Sequence, residues 1–145
     1  MRRNGFTLIE LMIVVVVVGI LAAIVIPNFV AMRDRLARED VVRANCHAVQ
    51  LAAEDFYVRN DGVYPKSLSD RLPNGQTIID LLPGGQRLNN PFTERPTEPT
   101  SGVATEPGQC CYSGVDADED GVCDDGYAIT AFGRDGLIMT LTSGD

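Results

Sequence analysis

Tryptophan is missing from this 145-residue chain, histidine occurs once, and aromatic residues make up only 6% of it. No Cys-x-x-Cys pair is present, which argues against a zinc site and a thioredoxin-like exchange centre. There is no glycine-rich phosphate loop, nucleophile elbow or zinc-binding helix motif. His47 directly follows Cys46, but adjacent helical residues do not face each other, so they make no nucleophile–base pair. No catalytic residue is predicted. Basic residues are outnumbered 12 to 20, for a formal charge of −8. Such a surface disfavours nonspecific nucleic-acid binding. Internal repeats and low-complexity tracts are also lacking.

What is present begins at the N-terminus. From Phe6 to Ile26 the only ionisable side chain is Glu10. At about 1.5 Å rise per residue such a run spans roughly 30 Å, the thickness of a bilayer core. Val14–Val18 is β-branched and a poor helix former in water, but in lipid the backbone must bond internally and helix follows. Arg2 and Arg3 place the short N-terminus in the cytoplasm and the larger C-terminal part outside. A carboxylate in hydrocarbon costs about 2.5–3.5 kcal/mol on insertion scales, so Glu10 reads as functional. Its natural partner is a cation made nearby, and a cut after Gly5 supplies one in the new α-amino group of Phe6. A secretory signal peptide cut near Ala22-Ala23 fits badly, because the apolar region is too long. An ordinary signal anchor explains neither Gly5 nor Glu10.

The stretch Gly5-Phe6-Thr7-Leu8-Ile9-Glu10-Leu11-Met12-Ile13-Val14, with Gly19-Ile20-Leu21-Ala22-Ala23-Ile24 and Pro27, resembles the type IV prepilin N-terminus. The resemblance implies a leader of residues 1–5, a prepilin peptidase cutting between Gly5 and Phe6, and methylation of the Phe6 amine. It further implies that Glu10 pairs with the Phe6 amine of a neighbouring subunit during assembly. Removing Arg2 and Arg3 would take the charge from −8 to −10.

The apolar segment at 6–26 is expected to continue as an amphipathic helix over 27–59, with Pro27 a point of kinking or loosening. Val41, Ala44, Ala48, Leu51 and Ala52 form one apolar stripe. Val42, Cys46, Val49, Ala53 and Phe56 form a second, and Arg43, His47, Gln50 and Glu54 a narrow polar one. A face this wide needs two packing partners: a head of the same chain, and neighbouring helices. A small domain wrapping both sides would give the same pattern. Arg33, Arg35, Arg38 and Arg43 read as solvated near the membrane surface. Asn60-Asp61-Gly62 ends the helix, with Gly62 as a left-handed cap.

Residues 60–145 form the expected head. Leu68–Leu72 and Ile78–Leu82 read as short ordered pieces. Asn89–Pro107 reads as loop, with Pro91, Pro96, Pro99 and Pro107 blocking regular structure. Gln109–Ser113, Tyr127–Phe132 and Leu137–Thr142 read as strands, the last two joined by Gly133-Arg134-Asp135-Gly136. The predicted class is α+β: a long N-terminal helix packed on a small antiparallel sheet. Asp61-Gly62-Val63-Tyr64-Pro65, Asn90-Pro91-Phe92 and Tyr127-Ala128-Ile129-Thr130-Ala131-Phe132-Gly133 add a weaker resemblance to pilin and pseudopilin heads.

The four cysteines, Cys46, Cys110, Cys111 and Cys123, are even in number and lie in the exported part, which points to disulfides. A bond between adjacent Cys110 and Cys111 is strained. That leaves Cys46 with Cys110 or Cys111, and Cys123 with the other.

Asp116-Ala117-Asp118-Glu119-Asp120-Gly121-Val122-Cys123-Asp124-Asp125-Gly126 alternates carboxylates and then turns at glycine, as a calcium loop does. The expected ligands are Asp116, Asp118, Asp120, the Val122 carbonyl, and Asp124 or Asp125. The loop resembles thrombospondin type 3 and EF-hand-like sites, but has Tyr127 where an EF-hand carries its bidentate Glu. A solvated acidic turn is the competing reading.

The resemblance as a whole implies a structural type IV pilus subunit that self-assembles into a helical filament. Its partners would be the prepilin peptidase and an inner-membrane assembly platform. It would sit in the bacterial inner membrane before assembly and on the cell surface afterwards. The alternative is a type II secretion pseudopilin, for which a calcium site near the C-terminus is a family trait. A DNA-binding minor pilin is a third reading, against which the acidic head argues.

Overall fold

The structure, a computed structural model, describes residues 6–85, 87–119 and 121–144. It contains two compact units, Met1–Leu36 and Ala37–Asp145. One helix, α1 (Leu8–Arg59), contributes to both.

In the first unit the β-branched run Val14–Val18 is helical, and the helix continues through Pro27. Beside the proline, the Asn28 side-chain amide donates to the Ile24 carbonyl at 3.3 Å. None of the described side chains here is buried. Leu8, Ile13, Ile20 and Ile26 are all more than half exposed. This part of α1 is long and apolar enough to cross a membrane.

In the second unit, α1 buries Val42, Cys46, Val49, Ala53 and Phe56, at alternating steps of four and three residues. These steps put side chains on one helical face. Ala52, from the neighbouring stripe, is buried with them, whereas Val41 and Leu51 remain 39% and 62% exposed. The head of the same chain thus covers one stripe and leaves most of the other open. Glu39 also turns inward, only 7% exposed, and packs beside Gly133. Arg38 is not merely solvated: its guanidinium donates to the Pro91 carbonyl at 2.9 Å. Asn45 makes a parallel link to the Asn89 carbonyl at 2.8 Å.

The helix ends where Asn60 N–H and Gly62 N–H both donate to the Tyr57 carbonyl. Asp61 and Gly62 both adopt left-handed backbone, φ 53° and 86°. The cap therefore takes two residues rather than Gly62 alone. The chain then packs Leu68, Leu72, Ile78 and Leu82 inward through short turns, including 3-10 turns at Ile79–Leu81 and Pro83–Gly85.

The expected loop at Asn89–Pro107 is more ordered than the prolines suggest. Strands β1 (Leu88–Asn90) and β2 (Arg95–Thr97) form a two-stranded antiparallel hairpin. Pro96 is tolerated because the ladder is short and two-stranded. Asn90 builds the turn: its side-chain oxygen accepts from the Phe92 and Thr93 N–H groups, and its amide donates to the Pro107 carbonyl at 3.0 Å.

The main sheet has strand order β3-β4-β5-β6, with β3 (Thr100–Ser101), β4 (Cys110–Val115), β5 (Gly126–Phe132) and β6 (Leu137–Thr142). β4, β5 and β6 pair antiparallel, but β3 runs parallel to β4. The sheet is therefore mixed rather than purely antiparallel, within the α+β class. The β5–β6 turn closes with Gly133 N–H donating to the Gly136 carbonyl at 2.8 Å. Tyr112, Tyr127, Ile129, Ala131 and Leu141 meet the helix face in one core.

Candidate functional site

Among the described residues, two places carry chemistry beyond packing. The first is the start of α1. Phe6 is 84% exposed and precedes the helix. Thr7 is its N-terminal cap: the Thr7 hydroxyl accepts from Glu10 N–H at 3.3 Å. The Glu10 carboxylate returns to the Thr7 N–H and hydroxyl at 2.9 and 2.8 Å. This reciprocal Thr-x-x-Glu arrangement satisfies two backbone donors that a helix start leaves open. The Thr7-x-x-Glu10 spacing is itself a helix-start signal legible in the sequence. Gly5 lies outside the described residues.

The second place is the acidic loop between β4 and β5. Asp116, Asp118 and Asp125 each offer a carboxylate oxygen, all within 4.8 Å of one another, and could hold a metal ion. Asp116 is the anchor. One of its oxygens accepts from Gly121 N–H at 3.0 Å and lies 3.5 Å from the Lys66 ammonium. The other is buried with no hydrogen-bond partner. Asp125 accepts from Ala117 N–H at 2.7 Å, drawing the two ends of the loop together. Left-handed backbone at Glu119 and Gly121, φ 59° and 91°, makes the reversal. Of the expected ligands, Asp120 lies outside the described residues. Of Asp124 and Asp125, it is Asp125 whose carboxylate converges with Asp116 and Asp118. Val122 lines a neighbouring cleft with Lys66, Asp70 and Cys123.

Comparison with known proteins bears on the first place. The family profile described as the prokaryotic N-terminal methylation motif matches residues 1–26. Those residues hold Glu10 and its Thr7 cap at the head of the uncovered apolar helix. The N-terminal segment is that of the type IV pilin and pseudopilin family. The type IV major pilin protein PilA of Myxococcus xanthus is 47% identical over 60 residues, 41% of this chain and 27% of the relative. The type IV major pilin protein PilE of Neisseria gonorrhoeae is 48% identical over 65 residues, 44% of this chain and 37% of the relative. The type II secretion system core protein G of Pseudomonas aeruginosa is 41% identical over 66 residues, 46% of this chain and 45% of the relative. The chain thus spans less than half the length of these relatives. No solved structure matches it.

The cysteines of the head occupy separate environments. All four are buried thiols. Cys46, on the inward face of α1, lies 3.8 Å from the Thr130 carbonyl and within hydrogen-bonding reach of Cys110. Cys111, next along β4, points to the opposite face of the sheet and meets the Thr100 hydroxyl at 2.9 Å. Cys123 sits against Gly114: a Cβ there would come within 3.0 Å of its sulfur. His47 is exposed and faces Gln50 at 3.1 Å, away from any cysteine partner.

The four tyrosines form one chain of ring contacts, Tyr57 to Tyr64 to Tyr127 to Tyr112, with centroid separations of 4.3, 5.0 and 5.9 Å. Glu54, expected on a polar stripe, accepts from the Tyr64 and Tyr127 hydroxyls at 3.2 and 2.7 Å. Burial, followed by the Glu54 charge, pushes the Tyr64 hydroxyl up to about 12. Burial and the hydrogen bond to Glu54 raise Tyr127 as well.

Proposed function

We propose that this chain is a structural subunit of a type IV pilus, cut between Gly5 and Phe6 by a prepilin peptidase and methylated on the Phe6 amine. The observation that carries this reading is the apolar half of α1, uncovered along its length and bearing one carboxylate in its first turn. Before assembly that segment anchors the subunit in the inner membrane, with the head outside the cytoplasm. An assembly platform then extracts it, and apolar helices of neighbouring subunits cover one another. Exposed Val41 and Leu51 extend the covered stripe toward the head. Glu10 pairs with the Phe6 amine of a neighbour and sets the register. One of its oxygens, Oε2, is already held at the helix start by Thr7, so the charge is placed before the partner arrives. The role is structural and non-catalytic.

The acidic loop supports a second reading, a type II secretion pseudopilin, since the same matched segment aligns with core protein G proteins. In either reading we assign the loop to calcium. Carboxylate oxygens are hard donors that select a hard cation, and the unpartnered Asp116 oxygen lacks one. Asp116, Asp118 and Asp125 would ligate it, with Asp120 and the Val122 carbonyl as further donors.

Electron microscopy of sheared surface filaments, with mass spectrometry of their subunit, tests the pilus reading. Filaments built from this chain support it. A chain confined to the envelope and required for secretion of other proteins would replace it with the pseudopilin reading.

A further inference from the structure

We infer that Cys46 and Cys110 are the single disulfide of the exported head, and that Cys111 and Cys123 remain thiols. The argument begins with strand geometry. Successive β residues face opposite sides of a sheet, so Cys110, Tyr112 and Gly114 share one face of β4 and Cys111 takes the other. The α1 side chains pack on the first face. Cys46 reaches across it to the Thr130 carbonyl of β5. The residue after Thr130, Ala131, is paired directly with Cys110. Cys46 and Cys110 belong to one buried cluster, 0% and 3% exposed. Their sulfurs lie within hydrogen-bonding reach of each other.

The other pairings fail on distance or direction. Cys123 is seated at Gly114, three positions along β4 from Cys111 and on the opposite face. At about 3.3 Å per residue Gly114 lies roughly 10 Å along β4 from Cys111, and the sheet itself stands between the two side chains. Cys110 is a position farther still from Gly114. Cys46 cannot take Cys111 without turning β4 over. The expected second bond from Cys123 is therefore replaced by two isolated thiols, one beside Thr100 and one at the root of the acidic loop.

The same burial sets the order of events. The Cys46 sulfur and burial together push the Cys110 thiol up, and exchange requires a thiolate. The bond consequently forms while the head is still folding. A disulfide oxidant of the exporting compartment supplies the electron acceptor. One cysteine thiolate attacks it and forms a mixed disulfide, releasing one oxidant thiolate. The second cysteine attacks that bond and expels the other. The oxidant leaves as a dithiol carrying both protons, and Cys46–Cys110 carries the bond.

This inference rests on the head being exported, not on which filament it enters. The test uses the full chain extracted from membranes, alkylated in denaturant and mapped without reduction. We expect a Cys46–Cys110 crosslinked peptide, with alkylation confined to Cys111 and Cys123. Cys46→Ser should leave Cys110 alkylated, while Cys111→Ser and Cys123→Ser leave the crosslink intact. In a second arm, chain reduced in denaturant and refolded under reductant is given oxidised glutathione. Crosslinking should be slow when folded and accelerate at least tenfold in denaturant. Protease accessibility in spheroplasts reports export separately. Four alkylated cysteines in a head shown to be exported, or a crosslink containing Cys111 or Cys123, would overturn the assignment. Equal oxidation rates with and without denaturant would overturn the order of events.

Discussion

The Tyr127 hydroxyl donates to the Glu54 carboxylate at 2.7 Å, joining the start of strand β5 to the last turns of α1. The bond is charge-assisted, so its loss should exceed that of a neutral one. Tyr127→Phe should cost about 1–2 kcal/mol, with Tyr64 still serving Glu54. Denaturant unfolding of the full chain in detergent measures this, and an unchanged midpoint would show the bond to be energetically idle.

The same cluster predicts an alkaline transition. Tyr64 is raised to about 12, and burial raises Tyr127 and Tyr112 in the same direction. A free tyrosine loses its proton near pH 10. Between pH 10 and 12 the unfolded chain therefore releases protons that the folded chain keeps, and stability falls as pH rises. Below pH 10 this contribution is fully present. Tyrosinate absorbance should rise late and together with unfolding; a rise completed near pH 10 in folded protein would count against it.

Gly114 has no room for a side chain. A Cβ there meets the Pro65 carbonyl oxygen at 2.7 Å and Lys66 Cα at 2.9 Å, both backbone atoms. Gly114→Ala should destabilise the head by about 1–3 kcal/mol. Thermal melting of the variant against Gly136→Ala, where the space is open, provides the comparison.

The capping role of Glu10 and its proposed pairing role are separable. Glu10→Gln keeps an acceptor for the Thr7 cap but removes the charge, whereas Glu10→Ala removes both. Both variants should insert, since losing a charge eases insertion, and both should lose filaments. Wild-type filament yield from Glu10→Gln would leave capping as the sole role of this residue. In the wild type, mass spectrometry should find the mature chain starting at Phe6 with a methylated amine.

Calcium should stabilise the head. Binding at tenfold excess over the dissociation constant adds about 1.4 kcal/mol, and at hundredfold about 2.7. With no bidentate Glu, affinity is expected near 10⁻⁴–10⁻³ M, roughly that of extracellular modules. Melting of the full chain should shift upward in millimolar calcium and cease to shift in Asp116→Asn with Asp118→Asn. An equal shift in that double variant would assign the effect to general screening of charge.

The parts of the molecule legible in sequence are those whose signal is local and repeated. The long helix follows from its apolar run and from the steps through Val42, Cys46, Val49 and Phe56. The β5–β6 hairpin follows from two β-rich runs around Gly133 and Gly136. The β1–β2 hairpin was illegible because three-residue strands carry no periodicity and Pro96 argues against them. Its turn depends on Asn90 reaching Pro107, seventeen residues away. Burial of Glu39 and the capture of Glu54 by Tyr64 and Tyr127 are likewise tertiary. In the acidic loop the charges were plain. Which of them converge depends on the left-handed turn through Glu119 and Gly121, a backbone choice the spacing alone does not make.

β6 ends its sheet, and Leu137–Thr142 contains no charge and no proline. Edge strands usually carry one or the other, because an unguarded ladder invites another chain to add to it. In the proposed membrane-anchored subunit, dispersal in two dimensions, each copy tethered by its own helix, would keep such edges apart until they are packed in a fixed arrangement. Heads released from that tether and concentrated in solution should instead form strand-paired aggregates. A lysine in place of exposed Thr140 is the substitution that would keep them soluble.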